Sequence, residues 1–440
     1  MAQEVDLLIK GADILTLDSN RPELRNHDVA VKDGRILEVR ENLRFDSKQE
    51  VSGKGKVLLP GLVDSHTHCF QIFLRGALSS KDRTIHPIWL KILMPFEADM
   101  DEEEAQISAE LACLNMIRKG ITAFADAGGP YPEILAKVTE DAGLRARITH
   151  STMDQGPENY NRGISYNREL VNRLKTPRVR GWYSIRQIMV CSDELIAETI
   201  EAARKDDTGV HIHLNEETSE IEHSMARWNE RPFEHLHSKG YLDDRVLAAH
   251  CAFLSDNETR IIANDSTNIV HCPKINMTYM TFPKIPRLLE LGANVALGSD
   301  GGSYTGLDLF VEMNIAIAAH VASYGAPFHD YEVISALDLL KMASTNGYKA
   351  IRQGDGGTIR VGSIADLIAI DRNRPHLRPL HELSSLPLYA TGGDVVDMIV
   401  DGKPVMKDGR VLSMDEEEVL KRAEDLEPKV RQRIGRMKRK

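Results

Sequence analysis

The chain has 440 residues, 42% of them hydrophobic and 28% charged, with a formal net charge of −11. That length exceeds one small core and suits a large barrel with an accessory domain. The acidic balance excludes nucleic acid as the main partner, because phosphate binding needs a concentrated positive surface. Five cysteines without a C-x-x-C pair (Cys69, Cys113, Cys191, Cys251, Cys272) fit a reducing compartment. The acidic N-terminus lacks the cationic and apolar regions of a signal peptide, and no apolar stretch nears the ~18 residues of a membrane span. A cytoplasmic protein with no membrane partner is expected.

In chain order, residues 5–17 read as strand, and 29–31 lead through the turn Lys32-Asp33-Gly34-Arg35 into a hairpin arm over 36–40. The apolar run 57–63 ends in Asp64-Ser65-His66-Thr67-His68 and reads as the first strand of a barrel, its ligands at the C-terminal mouth. Strand-like runs follow at 121–126, 145–149, 179–186, 210–214, 245–250, 268–271 and 293–300, with helical patterns such as 102–119 and 193–205 between them. That rhythm is the mark of a parallel sheet, and eight runs are what a (β/α)8 barrel needs. Residues 364–370 and a hairpin over 395–406 repeat the β-rich style of the N-terminus. The expected fold is therefore α/β, a TIM-like (β/α)8 barrel over 57–359 with a small composite β-sandwich from 1–56 and 360–412. A helical tail over 413–440 is expected to lie on the surface, its basic end (429–440) solvated.

Side chains two apart on a strand share a face, so His66 and His68 can serve one metal ion. His213 ends the fifth run, His250 the sixth, His271 the seventh and Asp300 the eighth. Any one of these is ordinarily a hydrogen-bonded rim histidine; all of them at strand ends converge on one mouth. His66, His68, His213 and Asp300 make a three-His, one-carboxylate set that suits zinc or iron(II) rather than magnesium or calcium. Such an ion lowers the pKa of a bound water to roughly 7, and Asp300 can both touch it and take the water's proton. Glu216, three residues after His213 where the chain leaves the strand, can curl over the mouth and protonate a ring nitrogen; Glu217 is the competing choice.

At these residues the chain resembles the amidohydrolase superfamily, in the branch acting on nitrogen heterocycles. That branch includes cytosine, guanine and S-adenosylhomocysteine or methylthioadenosine deaminases and the triazine hydrolases. The resemblance runs from the N-terminal β segment to about Leu412, on Pro60-Gly61-Leu62-Val63-Asp64-Ser65-His66-Thr67-His68, His213-Leu214-Asn215-Glu216, Ala249-His250-Cys251, His271-Cys272-Pro273 and Leu297-Gly298-Ser299-Asp300-Gly301. It implies one catalytic metal on His66, His68, His213 and Asp300, with His250 polarising water or oxyanion and Glu216 shuttling protons. Binuclear relatives carry a lysine at the end of the fourth strand, where this chain reads Trp182-Tyr183-Ser184-Ile185-Arg186, so one metal is expected. Homo-oligomers are common in the branch.

For the substrate, Gln71 and Arg186 stand where guanine deaminases place a glutamine and an arginine, a pairing able to read a ring carbonyl and its neighbouring nitrogen. Arg186 replaces the histidine of a Gly-Pro-His context in methylthioadenosine-type enzymes, and the alternative is that it pairs with a local carboxylate. Trp89 is either a lid aromatic or a buried anchor, and His271 is counted with the substrate-facing positions. The favoured reaction is hydrolytic deamination of an oxo-purine or pterin-like ring, with loss of ammonia. The alternatives are a methylthioadenosine or S-adenosylhomocysteine type of adenosine deaminase, and a triazine-type chloro- or aminohydrolase. A non-catalytic metal-binding scaffold is the third class.

Overall fold

The computed structural model describes residues 4–79, 81–82 and 87–438; His86 and the end of the basic tail, Arg439 and Lys440, lie outside the described residues. The eight expected barrel segments are all present and parallel to their neighbours: Leu62–His68, Ile121–Asp126, Arg145–Ile148, Val179–Gly181 with Tyr183–Ile185, Val210–Leu214, Val246–His250, Asn268–His271, and Val295–Leu297 with Asp300–Gly301. The arrangement is TIM-barrel-like, but the ladder is two five-stranded sheets rather than one closed sheet. The fourth segment breaks at Trp182, its first half pairing backward with the third and its second half forward with the fifth. The eighth breaks at Gly298 and Ser299, so Val295–Leu297 pairs with the seventh and Asp300–Gly301 returns to the first.

The terminal β unit is built from both ends of the chain, in the order Arg410–Val411, Lys403–Lys407, Val395–Val400, Leu367–Asp371, Lys56–Pro60, Glu4–Leu15, Glu23–Lys32 and Arg35–Arg40, with Asp46–Ser52 on the free part of Glu4–Leu15. One boundary needs correction. Residues 57–60 pair with Leu367–Asp371 and with Asp13 and Ile14, so they belong to the terminal sheet, and the first barrel strand starts at Leu62. Continuous apolar sequence hides the change of sheet at Gly61, where an added Cβ would lie 2.1 Å from Thr122 Oγ1. The buried Arg145 guanidinium joins the units: it binds Asp366 at 2.6 Å and Asp401 at 2.9 Å, while the Tyr348 hydroxyl donates to Asp366 at 2.8 Å.

Two further expectations change. The tail helix Glu416–Met437 is not a solvated appendage. It buries Val419, Ala423, Leu426, Val430 and Ile434, one stripe at helical spacing, and it packs on helix Glu102–Arg118. Arg422 pairs with Glu110, Lys429 with Asp101, and Arg433 with the buried Glu104. The helical run Leu309–Phe328 is also long and apolar enough, by length and composition, to cross a membrane. Its face of Leu309, Phe310, Met313, Ala316 and His320 is instead buried in the protein. Glu312, Asn314 and His320 interrupt its apolar run, which is why the sequence did not single it out.

Candidate functional site

The C-terminal ends of the first, fifth, sixth and eighth barrel segments bring the expected residues together. His66 Nε2 and His68 Nε2 lie 3.5 and 3.6 Å from Asp300 Oδ1, and His68 Nε2 lies 3.2 Å from His213 Nε2. The His250 ring centres 5.0 Å from that of His66 and 5.4 Å from that of His213. Donors on a tetrahedral ion with bonds of 2.0–2.1 Å stand ~3.3 Å apart, so these separations fit one ion. His66 Nε2 and both ring nitrogens of His250 are buried and make no hydrogen bond. Burial also holds His66, His68 and His213 well below the usual histidine range, which keeps their lone pairs available. The residues present fit a single divalent cation.

The backbone is strained where it carries this set. His250, Cys251 and Asp300 all adopt left-handed conformations, φ 73°, 50° and 62°, which cost about 1–3 kcal/mol each and persist because the surroundings enforce them. Cys251 N–H donates to the Leu214 carbonyl at 3.0 Å, and Thr67 Oγ1 donates to the Asp300 carbonyl at 3.1 Å. Glycines at 298 and 301 lie close to the neighbouring residues of the site. A Cβ on Gly298 would lie 3.0 Å from His66 Cβ, and one on Gly301 would lie 2.2 Å from Gln71 Oε1.

Glu216 curls back over the mouth as its position after the strand suggests. Its Oε1 is 3.7 Å from His250 Nε2, and Gln187 Nε2 donates to its Oε2 at 3.3 Å. Burial pushes the carboxyl up to about 7. Glu217 precedes helix Thr218–Trp228, and its carboxylate accepts from Ser219 at 3.2 Å. Arg186 lies over the buried Trp89, 4.7 Å from the ring centre, with Nη1 2.7 and 2.6 Å from the ring nitrogens of His213. It makes no ion pair with a carboxylate among the described residues. Trp89 is thus walled in rather than exposed as a flap. Gln71 has both ends of its amide engaged, donating to Glu97 Oε1 at 2.8 Å and accepting from Ser303 at 3.4 Å. His271 instead meets His320, whose Nε2 lies 3.3 Å from its own, and Phe282 edge-on.

Four residues of the neighbourhood escaped the sequence reading. Glu97, buried with its carboxyl pushed up to about 7, lies 26 residues from the Gln71 that holds it, and no local pattern marks it. Gln187 and Glu220 matter only through their contacts with Glu216. His211 did carry a signal: His211-Ile212-His213 repeats the alternation of His66-Thr67-His68.

The amidohydrolase family model matches residues 57–405. The chain belongs to this family. As an amidohydrolase it is a hydrolase acting on C–N bonds. The 5'-deoxyadenosine deaminase of Methanosarcina acetivorans is 35% identical over 427 residues, covering 95% of this chain and 96% of that one. The 5-methylthioadenosine/S-adenosylhomocysteine deaminase of Pelotomaculum thermopropionicum is 32% identical over 430 residues, covering 95% and 97%. Among solved amidohydrolase-like structures, an adenosine deaminase from Xanthomonas campestris with bound zinc superposes with a TM-score of 0.90 at 26% identity, covering 98% of this chain and 100% of that one. The atrazine chlorohydrolase of Arthrobacter aurescens complexed with zinc gives 0.88 at 21% identity, covering 96% and 100%, a likeness of fold.

Proposed function

We propose that this amidohydrolase removes the amino group of an adenosine-type nucleoside by zinc-dependent hydrolysis. The observation that carries the nucleoside over the free oxo-purine or pterin is the Gln71–Glu97 pair. Gln71 is turned to fix a buried carboxyl, with one amide N–H on Glu97 and its oxygen accepting from Ser303, which leaves a single N–H for a ring. A carboxylate so fixed offers acceptor oxygens suited to the vicinal hydroxyls of a ribose. The relatives named above, deaminases of adenosine derivatives, support the same class.

His66, His68, His213 and Asp300 would hold the ion, which supplies Lewis acidity and brings the pKa of a water to roughly 7. Asp300 accepts the proton of the attacking water, and Glu216, close to half-protonated near pH 7, passes a proton to the ring nitrogen beside the amine. His250, within reach of Glu216, orients the water and the oxygen it becomes. The five buried thiols remain free, in keeping with a reducing cytoplasm.

Arg186 supports a second reading. A buried guanidinium without a carboxylate partner among the described residues suits a ring that bears a carbonyl, which would restore the oxo-purine class. Ammonia release from zinc-loaded protein decides between them. The substrates to offer are 5'-deoxyadenosine, 5'-methylthioadenosine, S-adenosylhomocysteine, adenosine, guanine, 8-oxoguanine, pterins and cytosine, with chloride release from a chlorotriazine measured in parallel. Turnover is expected on the adenosine derivatives, and Glu216→Gln should lower it by ~10²–10⁴-fold. Turnover confined to oxo-rings or to the triazine would overturn the nucleoside reading.

A further inference from the structure

Strand Val210–Leu214 places His211 and His213 on one interior face, two residues apart. His213 reaches the metal set, whereas His211 meets His66 from behind: His66 Nδ1 and His211 Nε2 are 2.8 Å apart, with the rings edge-to-face at 4.9 Å. Both side chains are buried, out of reach of water. Two neutral imidazole nitrogens at that distance share a single proton, so one donates and the other accepts. If His211 were the donor, the His66 proton would sit on Nε2, the nitrogen 3.5 Å from Asp300 Oδ1, and would block a metal bond there.

We propose that His211 is a positioning residue that accepts the Nδ1–H of His66 and so fixes the tautomer in which His66 Nε2 offers its lone pair to the ion. His211 then carries its own proton on Nδ1, a buried nitrogen that makes no hydrogen bond to another group among the described residues. An outer partner of this kind orients the ligand and raises its basicity, and its loss usually weakens metal binding 10–100-fold. The inference rests on the reading of His66 as a ligand and is independent of the substrate.

The test is zinc affinity of the full-length protein by chelator competition, with no activity measurement. His211→Leu, which removes the acceptor, should weaken zinc binding by ~10–100-fold, while His211→Gln, whose side-chain carbonyl can accept the same proton, should stay within ~3-fold of the parent. Nitrogen-15 spectra of histidine-labelled, metal-free parent protein read the tautomer even if the leucine variant fails to fold; they should show His66 protonated at Nδ1. A proton on Nε2 of His66, or a folded His211→Leu protein with parental zinc affinity, overturns the proposal. His66→Ala serves as the control: if it binds zinc as tightly as the parent, the ligand assignment fails instead.

Discussion

Glu220 is the residue on which the aim of Glu216 depends. It is fully buried, and its Oε2 accepts the Glu216 N–H at 2.9 Å. Asn215 is held left-handed at φ 52°, so this carboxyl stabilises the bend that turns Glu216 from strand into mouth. Burial pushes Glu220 well above the usual carboxyl range, and a neutral amide should therefore replace it closely. Glu220→Gln is expected to keep parental turnover. Glu220→Leu should lose ~10–100-fold in kcat, as small misplacements of a reacting group do, with KM and zinc content held. Equal losses in both variants would mean that the charge matters and the bend does not. The grouping of His66, His68, His213, His250 and Asp300 was legible in the sequence because strand ends in a parallel barrel converge by topology. Glu220, Glu97 and Gln187 were not, since each acts through a contact that only the folded chain brings about.

At the scale of elements, alternation and apolar runs located all eight barrel segments, but could not tell which sheet residues 57–60 would join, because both choices bury the same side chains. Nor could they tell a docked basic helix from a solvated one. Helix Glu416–Met437 reaches the wall of the site through Arg433, which donates to the Phe96 carbonyl at 2.6 Å and stacks on the Phe96 ring at 4.2 Å, next to Glu97. The same guanidinium pairs at 2.6 Å with Glu104, a carboxyl already pushed up by burial. Arg433→Met keeps the packing volume but strands Glu104, which should cost about 1–3 kcal/mol of stability. If the helix holds the Glu97 segment in place, KM for the nucleoside should rise more than kcat falls, and zinc content should not change. Thermal melts and steady-state kinetics on the same preparation separate the two effects; an unchanged KM would confine the helix to a stabilising role.

For the whole molecule, the buried titratable groups set a stability profile of definite sign. Burial pushes Asp64, Glu97 and Glu216 up to about 7 and Glu312 up to about 8. Each of these binds its proton more tightly in the folded chain, so its contribution to stability is present at low pH and is lost as pH rises toward the folded value. The buried histidines His66, His68, His213, His250, His271 and His320 are shifted down, also by burial. They oppose the carboxyls below pH ~6.5 and fall silent above it, where both folded and unfolded forms are neutral. Between about pH 6.5 and 8 only the carboxyls act, and the metal-free protein should lose stability as pH rises. Glu312 acts through the upper part of that window, alongside the buried Glu220: it accepts the Lys274 N–H at 2.9 Å and is fully buried. Each pH unit over which its proton is held differently is worth up to about 1.4 kcal/mol. Glu312→Gln should therefore flatten the fall in Tm between about pH 6.5 and 8, and the Tm values of variant and parent should draw together only as pH falls toward the ordinary carboxyl value of 4.5. Chelator-treated protein scanned by calorimetry across that range is the measurement, and a parent Tm that climbs from pH 6.5 to 8 would show that the buried carboxyls are not protonated in the folded chain.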